Sequence, residues 1–292
     1  MKVGLYARLL KNPKEVTFFN ELHNYLIENE IEVLFHEHLN EYIHSHSLKI
    51  AESKSFSTSD LTGGSFVALI SIGGDGTILD TVTIAGHTGV PILGINTGRL
   101  GFLSSIGFMD YKKAVNDLKK GAYLLDKRSL LQLESSSELF SFNYALNDFV
   151  IHKKESSSMI TVHTFLNGEH LNSYWADGLI ISTPTGSTGY SLSCGGPILF
   201  PKSSSFSITP IAPHNLNVRP VVIPDDHVLS FEIEGRSHSY LASLDSRSVS
   251  ITPDVQMAIK RANFTVNLVR FENENFLKTL RQKLMWGLDG RN

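Results

Sequence analysis

The chain has 292 residues, of which 41% are apolar and 19% are charged, an ordinary balance for a globular protein long enough for two domains. The formal net charge is −3, so the composition does not indicate a nucleic-acid-binding protein. Cys194 is the only cysteine, so no intrachain disulfide can form. The sequence shows no apolar run of membrane-spanning length and no signal-peptide pattern, so we expect a cytoplasmic protein that binds no membrane.

Residues 1–125 alternate strand-like and helix-like segments. The predicted strands are Val3–Ala7, Ile31–Phe35, Phe66–Ile72 and Pro91–Ile95. Such alternation predicts an α/β domain in which helices cover both faces of a parallel sheet.

The first predicted helix has clear boundary signals. Asn12 is a suitable N-cap, Pro13 fits the first helical position, and the apolar spacing continues to about Asn29. Residues 38–50 predict a weaker helix. Residues 51–65 are rich in Ser, Thr and Gly and predict a loop.

Residues 126–270 have a different rhythm, with short β-type runs separated by turn residues such as Asn167-Gly168. The predicted strands are Leu130–Leu133, Phe140–Ala145, Met159–Leu166, Leu179–Ser182, Val218–Ile223, Val228–Glu234 and Phe264–Val269. This pattern predicts a β-rich second domain. Residues 271–292 should include a helix, Asn273–Trp286, that packs back on a domain. Its predicted inward face is Phe276, Leu280 and Leu284.

The first candidate site is Gly73–Thr77, with the sequence Gly-Gly-Asp-Gly-Thr, between a predicted strand and a predicted helix. Glycines let backbone N–H groups approach an anion, and a helix N-terminus favours phosphate. An acidic residue in such a turn repels phosphate, so Asp75 is expected to act chemically, as a general base or beside a metal. The alternative is a tight turn in which Asp75 forms an Asx-turn.

The second candidate is Asp177–Ser191, where a buried strand leads into a segment rich in hydroxyls and glycines. Ser187 or Thr188 is a possible cap for a short helix that ends at Gly195, and such a helix start can hold a nucleotide. The alternative is an ordinary Ser/Thr/Gly turn. The third candidate is the pair Asn147-Asp148, which alone indicates a turn or bulge.

Taken in order, these motifs resemble the NAD kinase family. The motifs are Gly73–Thr77, Gly94–Leu103, Asn147-Asp148, Asp177–Ser193 and Ile208–His214. The resemblance implies a Rossmann-like α/β N-terminal domain and a β-sandwich C-terminal domain. It also implies transfer of the ATP γ-phosphate to the 2′-hydroxyl of the adenosine ribose of NAD, with Mg²⁺ arriving on ATP and no metal ligands from the protein.

The resemblance also implies roles for single residues. Asp75 would be the general base, and Gly76 would bring the backbone close to the substrate. The remaining expected binding residues are Asn147, Asp148, Trp175, Asp177, Thr188, Gly189, Tyr190, Ser191, Leu192, Ser193 and Ala212. Members of the family form dimers or tetramers in which a neighbouring subunit helps complete the site, so a homodimer or homotetramer is expected.

Several positions depart from the family pattern. Gly189 stands where the family usually has Ala, Asp80 where many bacterial members have a basic residue, and Trp175 where some have Arg. The sequence Asp245-Ser246-Arg247 replaces a more typical Asp-Gly-Gln, which leaves the role of Arg247 open.

Two other functions remain open at this stage. A lipid kinase of the diacylglycerol or sphingosine type carries a glycine turn like Gly73–Thr77, but it would not explain the segment from Asp177 to Ser193. A non-catalytic NAD-sensing module on the same fold would have no need for a base at Asp75.

Overall fold

The structure is a computed structural model that describes residues 1–10, 12–51, 53–62, 64–98, 101–104, 106–154, 158–272 and 275–285. The chain forms two compact units. The first comprises residues 1–127 together with the chain from residue 266 onward, and the second comprises residues 128–265.

The first unit is built around a parallel sheet. Its elements, in chain order, are β1 (Lys2–Tyr6), α1 (Pro13–Glu28), β2 (Glu32–His36), α2 (Glu37–Ser45), β3 (Lys54–Phe56), β4 (Ala68–Ile72), α3 (Asp75–Ala85), β5 (Ile92–Asn96), β6 (Ile106–Gly107) and α4 (Tyr111–Lys119). The strand order is β6-β5-β4-β1-β2-β3, and all these neighbours are parallel. The α/β fold predicted for this part of the chain is confirmed.

The order of the strands reverses at β1, which lies between β2 and β4. Tyr6 near the end of β1 pairs with Ser71 near the end of β4, so the two strands end side by side. In open α/β sheets, ligands bind outside the carboxyl ends of the strands at such a switch point. The Gly73–Thr77 turn directly follows β4 and therefore lies at that place.

Helix α1 forms where its boundary signals predict it. The Asn12 Oδ1 accepts a hydrogen bond from the Glu15 N–H at 3.1 Å, and Pro13 occupies the first turn. The buried face comprises Phe18, Phe19, Leu22, His23 and Leu26. That face packs into the core shared with β1, β2 and α4.

The second unit is made of strands. Its elements are β7 (Leu124–Ser135, which begins in the first unit), β8 (Tyr144–Ala145), β9 (Asp148–Lys153), β10 (Ile160–Leu166), β11 (Glu169–Ala176), β12 (Gly178–Ser182), α5 (Tyr190–Ser193), β13 (Ser205–Ile211), β14 (Val221–Pro224), β15 (Leu229–Glu234), β16 (Tyr240–Leu244), β17 (Arg247–Ile251) and β18 (Met257–Arg270, which ends in the first unit). One sheet contains the run β11-β10-β15-β18, and the other has the order β14-β13-β12-β9-β16-β17.

The two sheets of this unit enclose one apolar core, as in a β-sandwich. Alternate residues of β15 and β16 point into it, for example Phe231 and Ala242. Strand β12 is buried along its whole length because Leu179 and Ile181 face that core and Ile180 packs with Val150 on the opposite side. The predicted β-sandwich is confirmed.

Several element predictions were wrong in detail. The segment 51–65, predicted as a loop, contains strand β3, because Phe56 is buried and its strand pairs in parallel with β2. The helix predicted over 38–50 ends at Ser45. Of the strand predicted from Phe140, only Tyr144–Ala145 forms, whereas the strand predicted at Phe264 is part of the much longer β18.

The C-terminal helix α6 spans Phe276–Leu284 and begins at an N-cap, Asn275, whose side chain accepts from the Lys278 N–H at 2.8 Å. Leu280 is buried as predicted, but Leu284 is exposed. The predicted end residues 273 and 286 lie outside the described residues. Within the part of the chain that the structure describes, no helix is long and apolar enough to cross a membrane.

Candidate functional site

The Gly73–Thr77 turn connects the buried strand β4 to helix α3. Gly73 has φ +147°, and a Cβ there would lie 2.3 Å from the Thr77 Oγ1, so only glycine fits. Gly74 is the N-cap of α3 and has no side chain to cap the first turn. The turn therefore presents a helix N-terminus to any anion at the carboxyl edge of the sheet.

Gly74 and Gly76 differ from Gly73 in their surroundings. Among the residues that the structure describes, no atom lies within 4 Å of a Cβ built at either position, and neither residue has a positive φ. The packing of the chain therefore does not require glycine at these two positions. Their missing side chains leave space beside the backbone N–H groups, as a bound phosphate requires.

Asp75 is the first residue of α3, and its carboxylate reaches a distant segment of the chain. Its Oδ2 accepts from the Phe102 N–H at 2.8 Å, and its Oδ1 accepts from the N–H groups of Leu103 at 3.1 Å and Ser104 at 3.0 Å. A Cβ at Gly101 would lie 1.8 Å from Oδ1, so this approach requires glycine there too. The Asx-turn alternative is wrong, because the carboxylate binds amides 27–29 residues away.

The Gly94–Leu103 motif supplies this partner segment. Asn96, at the end of β5, is buried and accepts from the Gly98 N–H at 2.7 Å. Ser104 just beyond the motif donates its hydroxyl to the Gly73 carbonyl at 3.4 Å. The motif thus lies against the glycine turn, while its residues Arg99 and Leu100 are outside the described residues.

Asp80, one of the positions that depart from the family pattern, lies on α3 and is paired with a cation. Its carboxylate accepts from Arg8, with Nε at 2.6 Å from Oδ2 and Nη2 at 2.7 Å from Oδ1, and the Tyr6 hydroxyl donates to Oδ2 at 3.3 Å. Burial, and then the charge of Asp80, raise the pKa of Tyr6 to about 12. Asp80 therefore orients Arg8 at the switch point of the sheet.

In the second unit, Asn147 and Asp148 lie at the start of β9, beside the end of β12. The Thr183 N–H donates to the Asn147 carbonyl at 2.8 Å, and the Thr183 hydroxyl donates to the Leu146 carbonyl at 2.5 Å. A Cβ at Gly186 would lie 2.2 Å from the Asn147 carbonyl oxygen. These contacts hold the pair against the loop that follows β12.

Asp148 is a buried carboxyl group in an otherwise hydroxyl-rich region. Burial, and then the negative charge of Asp245, raise the pKa of Asp148 to about 8. A carboxyl group that holds its proton near neutral pH can donate a hydrogen bond as well as accept one. Such a group is suited to a sugar hydroxyl or a base edge.

The segment after β12 has an inner and an outer side. Ser191 is fully buried and its hydroxyl lies 2.9 Å from the Thr209 hydroxyl. This contact stabilises the segment, and the predicted binding role of Ser191 stays a prediction. Helix α5 has Gly189 as its N-cap, so the predicted caps Ser187 and Thr188 are wrong; their hydroxyls donate to nearby backbone carbonyls.

Other predicted residues of this segment remain accessible. Thr188 and Leu192 are half-buried, and Ser193 and Tyr190 are exposed. A methyl group at Gly189 would lie about 4 Å from the Asn147 amide and the Asp148 carboxyl, so this glycine borders that pair. Burial chiefly raises the pKa of Tyr190, and the charges of Asp148 and Asp177 add to the rise.

Three of the predicted residues share a cavity of about 730 Å³ within the second unit: Trp175, Asp177 and Ala212. The Asp177 carboxylate pairs with the Lys153 ammonium at 2.6 Å. The half-exposed Trp175 ring lies 5.0 Å from the His214 ring, which also lines the cavity. An apolar ring beside an ion pair can bind the face and the polar edge of a heterocycle.

The sequence did not predict roles for Lys153, Asp245 or Arg247. Lys153 ends β9, Asp245 lies in the two-residue turn of the β16–β17 hairpin, and Arg247 begins β17. Arg247 donates to the carbonyls of Phe142 and Tyr144, so it supports the chain ahead of Asn147. These contacts join residues about 100 positions apart, which spacing alone does not reveal.

A Mg²⁺ ion held by the protein itself would need oxygen ligands from its side chains. Within the described ranges, no three His, Cys, Asp or Glu side chains are grouped to hold a metal ion. Mg²⁺ commonly reaches phosphoryl-transfer sites on the phosphate oxygens of its nucleotide.

The switch-point turn, the open space at Gly74 and Gly76, and the hydroxyl-rich segment of the second unit define a nucleotide-binding protein. Residues 4–123 match the ATP-NAD kinase N-terminal domain, and residues 146–271 match the ATP-NAD kinase C-terminal domain. The chain belongs to the NAD kinase family, and the resemblance that its motifs indicate is confirmed.

Related proteins agree with this assignment. The NAD kinase of Flavobacterium johnsoniae is 45% identical over 295 residues, which cover 100% of both chains. The NAD kinase of Cytophaga hutchinsonii is 54% identical over 225 residues, which cover 77% of each chain.

Two solved structures share the fold at 23% identity. Yeast NADH kinase, complexed with NADH, has a TM-score of 0.87 and covers 99% of this chain and 88% of its own. An NAD kinase from Archaeoglobus fulgidus, complexed with ATP, has a TM-score of 0.76 and covers 98% of this chain and 99% of its own.

Proposed function

We propose that the protein is an ATP-dependent NAD kinase that transfers the γ-phosphate of ATP to the 2′-hydroxyl of the adenosine ribose of NAD, giving NADP and ADP. Relatives named NAD kinase match the whole chain at 43–45% identity and support the activity. The observation that carries the proposal is the glycine turn at the end of β4, with open space at Gly74 and Gly76 and a carboxylate at Asp75.

Asp75 is proposed as the general base. A carboxylate has about four acceptor positions, and the described contacts use three of them, two on Oδ1 and one on Oδ2. The remaining position on Oδ2 is where Asp75 would take the proton of the ribose hydroxyl as the γ-phosphorus is attacked. The three N–H donors fix the carboxylate, so little reorientation is needed before the reaction.

The phosphates of ATP are proposed to lie at the turn. The N–H groups at the start of α3 can bind phosphate oxygens, and Gly76 leaves them room. A divalent metal on ATP would neutralise the charge that develops on the transferred phosphoryl group. Phosphoryl transfer depends mainly on such positioning and neutralisation, so one protein base is a sufficient chemical group.

NAD is proposed to be bound by the polar groups of the second unit. Asn147 and the protonated Asp148 offer donors and acceptors to the nucleoside, and Tyr190 lies within electrostatic range of Asp148 and Asp177. Trp175, Asp177 and Ala212 line the cavity beside Lys153 and offer a second polar surface. A homodimer or homotetramer is part of this proposal.

The test is a direct assay of the purified full-length protein with NAD, ATP and Mg²⁺, in which an NADP-specific dehydrogenase detects the product. We expect NADP to form in proportion to enzyme and to require all three components. A parallel reaction replaces NAD with diacylglycerol or sphingosine in mixed micelles. Phosphorylated lipid without NADP would identify a lipid kinase, and NAD binding without NADP would identify a sensing module.

A further inference from the structure

The backbone of Leu146–Asp148 is fully hydrogen-bonded, and one side chain provides half of the partners. The N–H groups of Leu146, Asn147 and Asp148 donate to the Asp245 carboxylate at 2.9, 2.7 and 3.2 Å. The Asp148 carbonyl accepts from the Asp245 N–H at 3.0 Å, and Thr183 binds the other two carbonyls. All six polar backbone groups of this segment therefore have partners.

The hairpin geometry explains why Asp245 can reach three successive amides. Leu244 pairs with Arg247 across a two-residue turn, and Asp245 has φ +52°, a conformation that Asp tolerates better than most residues. Leu244 also pairs with Phe149 of β9, so Asp245 extends the ladder by one position to face Asp148. Three consecutive N–H groups that converge on one carboxylate form an anion-binding nest.

We propose that Asp245 is a positioning residue for NAD: it fixes the backbone of Asn147 and Asp148 so that their side chains are held ready for the nucleoside. The proposal rests on the proposed function, in which this pair binds NAD. The proposed role of Asp245 is indirect: its carboxylate binds the three amides, and no contact with the substrate is part of the proposal.

The same hairpin supports the chain ahead of the pair. Arg247 donates to the carbonyls of Phe142 and Tyr144, and its guanidinium lies 5.4 Å from the centre of the Phe142 ring. The turn that carries Asp245 is thus anchored beside the segment it positions. Asp245→Asn would leave this anchor in place but replace one acceptor oxygen by an N–H₂ group, which faces at least one of the three N–H donors.

Asp245 also sets the electrostatics of Asp148. Burial raises the pKa of Asp245, while the three amides and Arg247 oppose that rise. The Asp245 charge in turn adds to the effect of burial on the pKa of Asp148. The Asp148 charge also contributes to the raised pKa of Tyr190 on α5, after burial. Removal of the Asp245 charge should therefore lower the pH at which Asp148 titrates.

The main experiment compares Asp245→Asn with a matched control, Asp225→Asn, in the full-length protein. Asp225 is a buried aspartate of the same unit, and its carboxylate pairs with Arg261 at 3.2 Å, away from the β16–β17 turn. Asp245→Asn should raise KM for NAD about 10–100-fold and leave KM for ATP within about twofold. Asp225→Asn should lower Tm and leave both KM values unchanged.

A second readout separates positioning from general destabilisation. The pH dependence of KM for NAD in Asp245→Asn should shift to lower pH by about one unit relative to wild type. If Asp245→Asn does not fold, Asp245→Glu keeps the charge but moves the carboxylate by one methylene. Its KM for NAD should still rise, by a smaller factor, with KM for ATP unchanged.

The outcomes distinguish this proposal from the proposed function. A wild-type protein that makes no NADP would refute the proposed function. An active wild type, with KM for NAD in the Asp245 variants no higher than in Asp225→Asn, would refute the positioning role alone. Equal rises in the KM values for NAD and ATP would also refute it, because they would show a general loss of structure.

Discussion

At the scale of single residues, Asp75 combines two roles whose contributions can be separated. Its carboxylate joins the start of α3 to Phe102–Ser104 and is also the proposed base. In Asp75→Asn, the amide N–H₂ faces one of the three N–H donors, so at least one charge-assisted hydrogen bond worth about 1.5–3 kcal/mol is lost. We expect a lower Tm and a fall in kcat of roughly 10²–10⁴-fold.

The control for Asp75 is Gly101→Ala, which keeps the carboxylate but places a methyl group 1.8 Å from its Oδ1. This variant should lose the amide contacts and stability while retaining a group that can accept a proton. Its kcat should therefore exceed that of Asp75→Asn. A folded Asp75→Asn protein with near wild-type kcat would contradict the base assignment.

Asp148 makes stability depend on pH in a defined direction. In the unfolded chain an aspartate titrates near its ordinary pKa of about 3.9, whereas burial and then the Asp245 charge raise the pKa of Asp148 to about 8. Between these values the folded state binds a proton that the unfolded state has released. The free energy of unfolding should therefore fall as pH rises from about 4 to about 8.

The variant Asp148→Asn removes this titration, so its stability should decline less than that of wild type between pH 5 and pH 8. Urea unfolding at several pH values measures the difference. If the two proteins lose stability in parallel over this range, Asp148 does not carry the effect.

The sequence predicted the identities of several site residues but not their contacts. Asp75 stood out because a carboxylate in a glycine turn opposes phosphate binding, and the structure then gave it three distant amide partners. The resemblance implies that Ser191 binds NAD, and the structure buries its hydroxyl beside that of Thr209, a contact that the sequence did not predict. Which of several neighbouring hydroxyls is buried depends on how the strands pair. A local sequence pattern does not show that pairing.

At the scale of elements, the first turn of α3 offers a test that separates stability from function. Gly76 lies in the helix, and a Cβ there would have no atom of the described part of the chain within 4 Å. Gly76→Ala should therefore stabilise the fold, by up to about 1 kcal/mol, because alanine favours the helix. A methyl group in the proposed phosphate space should nevertheless lower kcat/KM for ATP roughly 10–100-fold.

Gly73→Ala is the matched control, because Gly73 has a positive φ and no room beside Thr77. That variant should lose stability, whereas Gly76→Ala should gain it. Thermal unfolding and initial rates measure both effects. A stabilised Gly76→Ala enzyme with wild-type kinetics would show that phosphate does not approach this backbone.

Element predictions succeeded where the local signals were strong. Helix α1 has its cap, its proline and its apolar face within one segment. Strand β13 was missed because it contains Pro210, which cannot donate to a ladder. Its pairing with β14 ends at Ile208, so Pro210 lies where β13 has a neighbour only on the β12 side. Strand β17 was missed because it is an end strand with alternating exposed polar residues.

At the scale of the whole molecule, the change from helix-strand alternation to short strands was enough to predict two kinds of architecture in one chain. The long β18 was not predicted in full, because its first part has few consecutive apolar residues and gains its order from β15. Its last part includes Leu268, which pairs with Ile92 of β5. Pairings of this kind, between residues far apart in sequence, cannot be predicted from local propensity.

The protein is expected to assemble through one edge of the six-stranded sheet. Strand β14 is an end strand of that sheet as described, and its Val221 and Val222 are 37% and 46% exposed. An apolar end strand exposes unpaired backbone groups, and a two-fold contact with a second copy would cover them. We therefore expect wild type to be a dimer or tetramer at micromolar concentration, as measured by light scattering.

Val222→Lys should weaken this assembly by placing a charge on the edge. Ser248→Lys, on the exposed face of the opposite end strand β17, is the matched control and should leave the assembly intact. If a neighbouring subunit helps to complete the NAD site, Val222→Lys should also lose activity at low protein concentration and recover part of it at high concentration. A wild-type monomer with full activity would contradict the prediction, and equal dissociation by both variants would place the contact elsewhere.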